Sequence, residues 1–320
     1  MLTLYELWSG LGLPLLRICI FIAIGVFVGN LIESMNWTRF MARLAAPLIR
    51  LGRLRDISGA SFSMAFFSGI TANTMLAEAY EQKKLTYREL VLSNLFNSLP
   101  TYFLHLPTTF FIMVPLIKAA ALPYILLTIT AAVLRTMAVV VLGRLILDPK
   151  PDQCVECRLP GDEKLNWKDV FAKVWSRFKN RFKKIIIFTV PIYTLFFILQ
   201  QAGFFNWIEE VMAEHVYFLA WLSPQALSIV AMQLAAELSA GLAAAGALLD
   251  SGALGIREVV LALITGNILS SPMRAVRHQL PYYAGIFNPG LALKLIFYNQ
   301  SLRVGSLILV GTVYYLWTLI

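Results

Sequence analysis

Apolar residues in this chain gather in long runs rather than alternating with polar ones. Residues 13–32, 91–117, 120–146, 185–204, 259–280 and 291–320 each approach or exceed the ~20 residues that a helix needs to cross a hydrocarbon core about 30 Å thick. Two further stretches, 61–79 and 226–249, are apolar through Gly, Ala, Ser and Thr rather than Leu and Ile, a composition that suits closely packed or broken helices. Residues 36–55 place Trp37, Phe40, Met41, Leu44, Leu48, Leu51 and Leu54 at helical spacing with arginines between them. Residues 167–182, "WKDVFAKVWSRFKNRF", repeat that design. Both patterns predict amphipathic helices lying along a membrane surface.

Composition turns these runs into a class. The chain is 58% hydrophobic and only 14% charged, with a mean hydropathy of +0.70. An all-α polytopic membrane protein is expected. The opening "MLTLYELWSG" has neither the basic start nor the small-residue cleavage site of a secretory signal and is expected to stay in the mature protein. Three cysteines make no disulfide framework. Cys19 sits within the first apolar run as a small hydrophobe; Cys154 and Cys157 form a CxxC that needs two further ligands to hold zinc, and otherwise belongs to a reduced cytoplasmic loop.

The chain also repeats itself. "LTYRELVLSN" at 85–94 is echoed by "LGIREVVLAL" at 254–263, and "RICIF" at 17–21 by "KIIIF" at 184–188. Asn36-Trp37 is matched by Asn206-Trp207, "SLPTY" with Pro100 by "SSPMR" with Pro272, and Leu134-Arg135 by Leu302-Arg303. The landmarks keep one order, which predicts two copies, residues 1–148 and 185–320, joined by a linker at 149–184 that carries the basic amphipathic helix. Duplication of this kind is a mark of secondary transporters.

Charge sets the relative orientation of the copies. Residues 33–57 contain Arg39, Arg43, Arg50, Arg53 and Arg55, whereas the equivalent 205–224 contains Glu209, Glu210 and Glu214 and neither Lys nor Arg. Equivalent loops are therefore expected on opposite faces, with the Arg-rich loop and the basic linker in the cytoplasm and both termini outside an inner cell membrane. An inverted repeat needs an odd number of crossings per copy. The small-residue stretches then become re-entrant helical hairpins, giving three transmembrane helices, one of them broken, and one hairpin per copy. Thr86 and Glu89, with Gly255 and Glu258 opposite, mark where the chain leaves each hairpin for the next helix. The basic linker faces anionic lipid rather than nucleic acid. No nucleotide-binding loop, metal-ligand cluster or partnered nucleophile is visible, so neither an enzyme nor an ATPase is expected and no cofactor beyond a coupling H+ or Na+.

Candidate chemistry collects at two matching interruptions. Asn97, Ser98 and Pro100 in one copy, and Asn267, Ser270, Ser271 and Pro272 in the other, put amides and hydroxyls beside a proline that removes a backbone hydrogen bond. Broken helices at equivalent positions point to a transporter's binding site; the alternative is a kink satisfied by its own side chains. The hairpins supply Ser68, Thr71 and Asn73 from the first copy and Gln233 and Glu237 from the second. Glu237 stands among Ala and Leu, where insertion of a carboxylate costs about 2.5–3.5 kcal/mol, and is expected either to line a cavity or to anchor a structural hydrogen bond. Arg135 and Arg303 are matching charges that either neutralise an anionic solute or lock packing.

The paired units, "SGITANTMLAEAY" with "NSLP" and "ELSAGLAAAGALL" with "NILSSP", resemble the nucleoside-recognition or Gate domain family of membrane proteins. That family is similar to concentrative nucleoside transporters and to the gates of ferrous-iron transporter B. The resemblance implies substrate contacts from Gln233, Glu237, Asn97, Ser98, Asn267 and Ser270. It departs from the iron gates, which carry a cysteine near the break where this chain has none. A secondary transporter of a small polar, nucleoside-like solute working by alternating access is the expected function, with lipid as a partner and homo-oligomerisation allowed. A divalent metal permease, or a non-transporting assembly or signalling component docking through 149–184, are the alternatives.

Overall fold

Every regular element among the described residues of the computed structural model is helical. Those residues are 46–148, 167–202, 221–236 and 238–319, with 7–13, 15–16, 19–20, 23–24 and 27 nearer the amino terminus. Glu237, Cys154, Cys157 and most of the expected first span and first amphipathic helix lie outside them.

The first small-residue stretch is two helices, α1 (Asp56–Ala65) and α2 (Gly69–Glu81), packed on each other. Ser68 caps α2 by accepting from the Thr71 backbone N–H at 3.2 Å. The Ser61 hydroxyl donates across the pair to the Ala72 carbonyl at 3.0 Å, which fixes an antiparallel hairpin. A broken helix follows: α3 (Tyr87–Phe96) and α4 (Ser98–Ile117) meet at Asn97. Glu89 closes the Thr86 capping box, and Arg55 Nε donates to the same buried carboxylate at 2.9 Å. Pro100 falls in the first turn of α4, a position where its missing N–H costs little, so it starts the new helix rather than kinking an old one. The long α5 (Ala121–Ile146) completes this half.

The second half repeats the layout. The helix α6 (Trp167–Gln201) runs without interruption through the basic amphipathic segment into the apolar one, where the sequence suggested two separate elements. A second hairpin, α7 (Pro224–Ala236) and α8 (Leu238–Asp250), precedes α9 (Ile256–Arg274). Pro272 lies inside α9, and the break comes after it, as a π-helical turn Ala275–Gln279 that leads into α10 (Leu280–Ile286). The Asn288 side chain then caps α11 (Pro289–Trp317).

The halves interlock. The α8 helix packs on α4 and α6, α10 on α2, and α11 on α5. Close approach explains the small residues of α8: a Cβ at Gly246 would stand 2.5 Å from the Leu116 carbonyl oxygen. Asp250, at the end of α8, pairs with Lys118 in the α4–α5 corner and accepts from the Tyr193 hydroxyl of α6 at 2.8 Å. The largest core joins Leu242, Ala244 and Leu248 of α8 to Val260, Leu263 and Ile264 of α9 and to Leu116 and Tyr124 of the first half.

By length and composition Tyr87–Ile146 is the one stretch among the described residues apolar enough to cross a membrane; α11, interrupted by Lys294, Gln300 and Arg303, falls short of that measure. Large apolar side chains nonetheless face outward along α5 and α11, with Leu145 76% and Trp317 72% exposed.

Candidate solute-binding cavity

A cavity of about 490 Å³ opens between the two halves. From the first half it is walled by one face of α2, by both sides of the α3–α4 break and by α5; from the second by the start of α8, by α9, the π turn, α10 and α11. The broken helices place their polar ends there because a helix end exposes unpaired backbone groups that apolar packing cannot satisfy.

Three guanidinium groups dominate one wall. Arg135 of α5 donates from Nε to the Ser98 hydroxyl at 3.1 Å. Arg303 of α11 and Arg274 of α9 both donate to Asn267 Oδ1, at 3.3 and 3.1 Å. Asn267 Nδ2 in turn donates to the Tyr124 hydroxyl at 3.1 Å, so one amide joins α9, α11 and α5. Arg303 is within electrostatic reach of both Arg135 and Arg274. Among the described residues that line the cavity there is no carboxylate.

The asparagine-rich part of the lining is neutral. Asn97 Nδ2 donates to Ser61 Oγ at 2.7 Å, tying the break to the first hairpin. Asn94 Nδ2 donates to Asn73 Oδ1 at 2.9 Å and to the Tyr283 hydroxyl of α10 at 3.1 Å. The side-chain Oδ1 atoms of Asn94 and Asn97 are buried without a hydrogen-bond partner among the described residues.

Of the residues singled out by sequence, the structure brings Asn73, Asn97, Ser98, Asn267, Arg135 and Arg303 to this cavity. Others it places elsewhere. Gln233 is buried between Gly241 and Gly266 and donates to the Leu263 carbonyl at 3.4 Å, a packing role inside the second hairpin. Ser271 donates to Gln300 Oε1 at 2.7 Å, holding α9 on α11, and Ser270 is buried beside it in the same unbroken helix. Ser68 is a helix cap and Thr71 is exposed. Pro100 is buried in the α4 start and Pro272 is exposed on α9. Glu237 lies outside the described residues.

The lining also includes groups that the sequence reading passed over, Asn94, Tyr102, Tyr124 and Tyr283, together with Arg274. Asn94 carried a signal, since it stands three residues before Asn97 and so shares a helix face with it. The tyrosines carried none, because an aromatic in an apolar run reads as core.

Comparison with known proteins gives three relatives from Methanocaldococcus jannaschii. Uncharacterized protein MJ0871 is 28% identical over 293 residues, 90% of this chain and 89% of the relative. Uncharacterized protein MJ1556 is 29% identical over 280 residues, 85% and 86% of the two chains. Uncharacterized protein MJ0880 is 20% identical over 302 residues, 92% and 96%. None of these names states an activity. No protein-family model and no solved structure matches the chain.

Proposed function

We propose that this chain is a polytopic membrane protein of inner-membrane type, similar to the nucleoside-recognition or Gate domain family, and that it is a secondary transporter working by alternating access. The observation that carries this reading is the cavity: both halves contribute to it, each through the interrupted helix that follows its hairpin. Sites of that kind are where transporters bind solute and coupling ion, and two packed halves around a central site are what alternating access requires. The outward apolar faces of α5 and α11 fit contact with lipid tails, because exposed apolar surface on this scale is rare on soluble monomers. The lining groups hold, orient and desolvate a small polar molecule, and no catalytic role is proposed for them. Arginines on the wall favour a solute other than a metal cation.

The test is uptake by the purified protein in sealed vesicles. Concentrative or exchange movement of a small polar solute, lost in Asn267→Leu, is the expected result. If no solute moves or binds while a protein partner co-purifies in fixed ratio, an assembly role through 149–184 replaces it. Orientation is tested separately in a background free of Cys19, Cys154 and Cys157. Arg50→Cys and Glu210→Cys should label from opposite sides of the membrane, and labelling from one side removes the inverted repeat.

A further inference from the structure

Resting on that transport reading, we propose that the cavity takes a small organic oxyanion, a molecule with a phosphate or carboxylate head held between Arg135 and Arg303 and a polar body lying toward Asn73, Asn94 and Asn97. Arg135 is buried, and its hydrogen-bond partner is the neutral Ser98 hydroxyl. Arg303 is half-buried, and its partner is the neutral Asn267 amide oxygen. A guanidinium carries five N–H donors, so each of these bonds leaves most of the fork unspent. Taking two like charges out of water with only neutral acceptors is costly, and a bound anion removes that cost.

Placement supports the same conclusion. The two arginines occupy equivalent positions in the two halves, and each is aimed by a residue of its own half's interrupted helix: Ser98 for Arg135 and Asn267 for Arg303. Arg274, sharing the Asn267 oxygen, adds a third positive group to that wall. Arginine rather than lysine suits an oxyanion, because its planar fork matches two oxygens at once. The cavity volume, about 490 Å³, exceeds what a bare phosphate or carboxylate fills and leaves room for an organic body. The rest of the lining offers that body amide and hydroxyl groups and tyrosine rings.

The experiment uses the full-length protein in phosphatidylcholine vesicles with four labelled probes: adenosine, adenosine 5′-monophosphate, succinate and inorganic phosphate. The proposal expects adenosine 5′-monophosphate or succinate to be taken up, and the one preferred identifies the head group. Adenosine and inorganic phosphate should compete at least 10-fold more weakly. Arg135→Gln and Arg303→Gln should each weaken binding of the preferred anion about 10- to 100-fold, the size of a lost charge-assisted hydrogen bond. The Lys variants at both positions should lose less, and they keep the comparison usable if the Gln variants do not fold. Uptake of adenosine that is indifferent to both substitutions overturns the anion assignment and leaves transport standing. Equal competition by inorganic phosphate overturns the organic body. No uptake and no thermal shift with any probe overturns the transport reading itself.

Discussion

The hairpin α1–α2 buries Ser58, Ser61, Ser63 and Asn73, whereas α7–α8 buries a run of Ala, Gly and Leu in which Gln233 is the one buried polar side chain among the described residues. The first is fastened to the broken helix beside it by directed bonds: Ser58 to Ser93 at 2.6 Å, Asn97 to Ser61 at 2.7 Å and Asn94 to Asn73 at 2.9 Å. The second is fastened largely by close contact, with Gly246 against the Leu116 carbonyl, and by the Asp250 bonds at its end. Both devices hold a hairpin against its neighbours. A hydrogen bond specifies one partner atom and one direction, while small-residue packing specifies only distance. The polar hairpin can therefore contribute Asn73 to a binding surface, and the packed one contributes mainly shape.

That contrast breaks most sharply at Gly246. Gly246→Leu drives a side chain into the α4 backbone and should cost about 3 kcal/mol or more, leaving little folded protein by thermal melting. Gly69→Ala in the first hairpin, where the nearest atom to a new Cβ is Thr101 Oγ1 at 3.9 Å, should melt with the parent. Next in size is the helix start that follows each hairpin. Glu89 is 1% exposed and accepts from Arg55, from the Thr86 backbone and from the Thr86 hydroxyl, so Glu89→Ala, which removes the capping box and the bond to a partly exposed arginine, should cost on the order of 2 kcal/mol. Glu258 accepts only from the Gly255 N–H among the bonds described, and Glu258→Ala should cost about 1 kcal/mol. Asn97→Ala strips Ser61 of its donor and should cost about 1–2 kcal/mol in melting while also lowering solute affinity. Smallest is Gln233→Leu, which replaces a side chain making one 3.4 Å bond and leaving Oε1 unpaired; its stability should stay within about 1 kcal/mol of the parent. Unchanged uptake in that variant keeps Gln233 in the packing of the second hairpin, and loss of uptake at normal stability moves it to the solute.

Each hairpin shows what a sequence carries and what it does not: Asn73 reaches the cavity, while Ser68, Thr71 and Gln233 sit elsewhere. Composition marks depth: the apolar run at 120–146 emerges as α5, Ala121–Ile146, almost to the residue. Local grammar marks ends, as with Thr86 and Glu89, whose reciprocal bonds form as spaced. Neither tells which neighbour each turn of a helix meets. Asn267 and Ser271 differ by one turn on α9, yet the first faces the cavity and the second faces Gln300 of α11. Packing between distant segments decides that, and a single chain read along its length does not contain it. Proline was similarly ambiguous, because its meaning depends on where a helix starts: Pro100 opens α4, and Pro272 rides within α9 one turn ahead of the actual irregularity.

Asp250 fixes where the molecule is able to bend. With Lys118 from the α4–α5 corner and Tyr193 from α6 both on its carboxylate, and with Gly246 seated on α4, the second hairpin is tied to both helices. The helices α4 and α6 are thus joined through α8 into one packed block. Compliance is left to the places where helical hydrogen bonding is interrupted, Asn97 on one side of the cavity and the π turn Ala275–Gln279 on the other. Under the proposed alternating-access mechanism these two interruptions are the hinges, and the block rocks over the cavity without unpacking its interior.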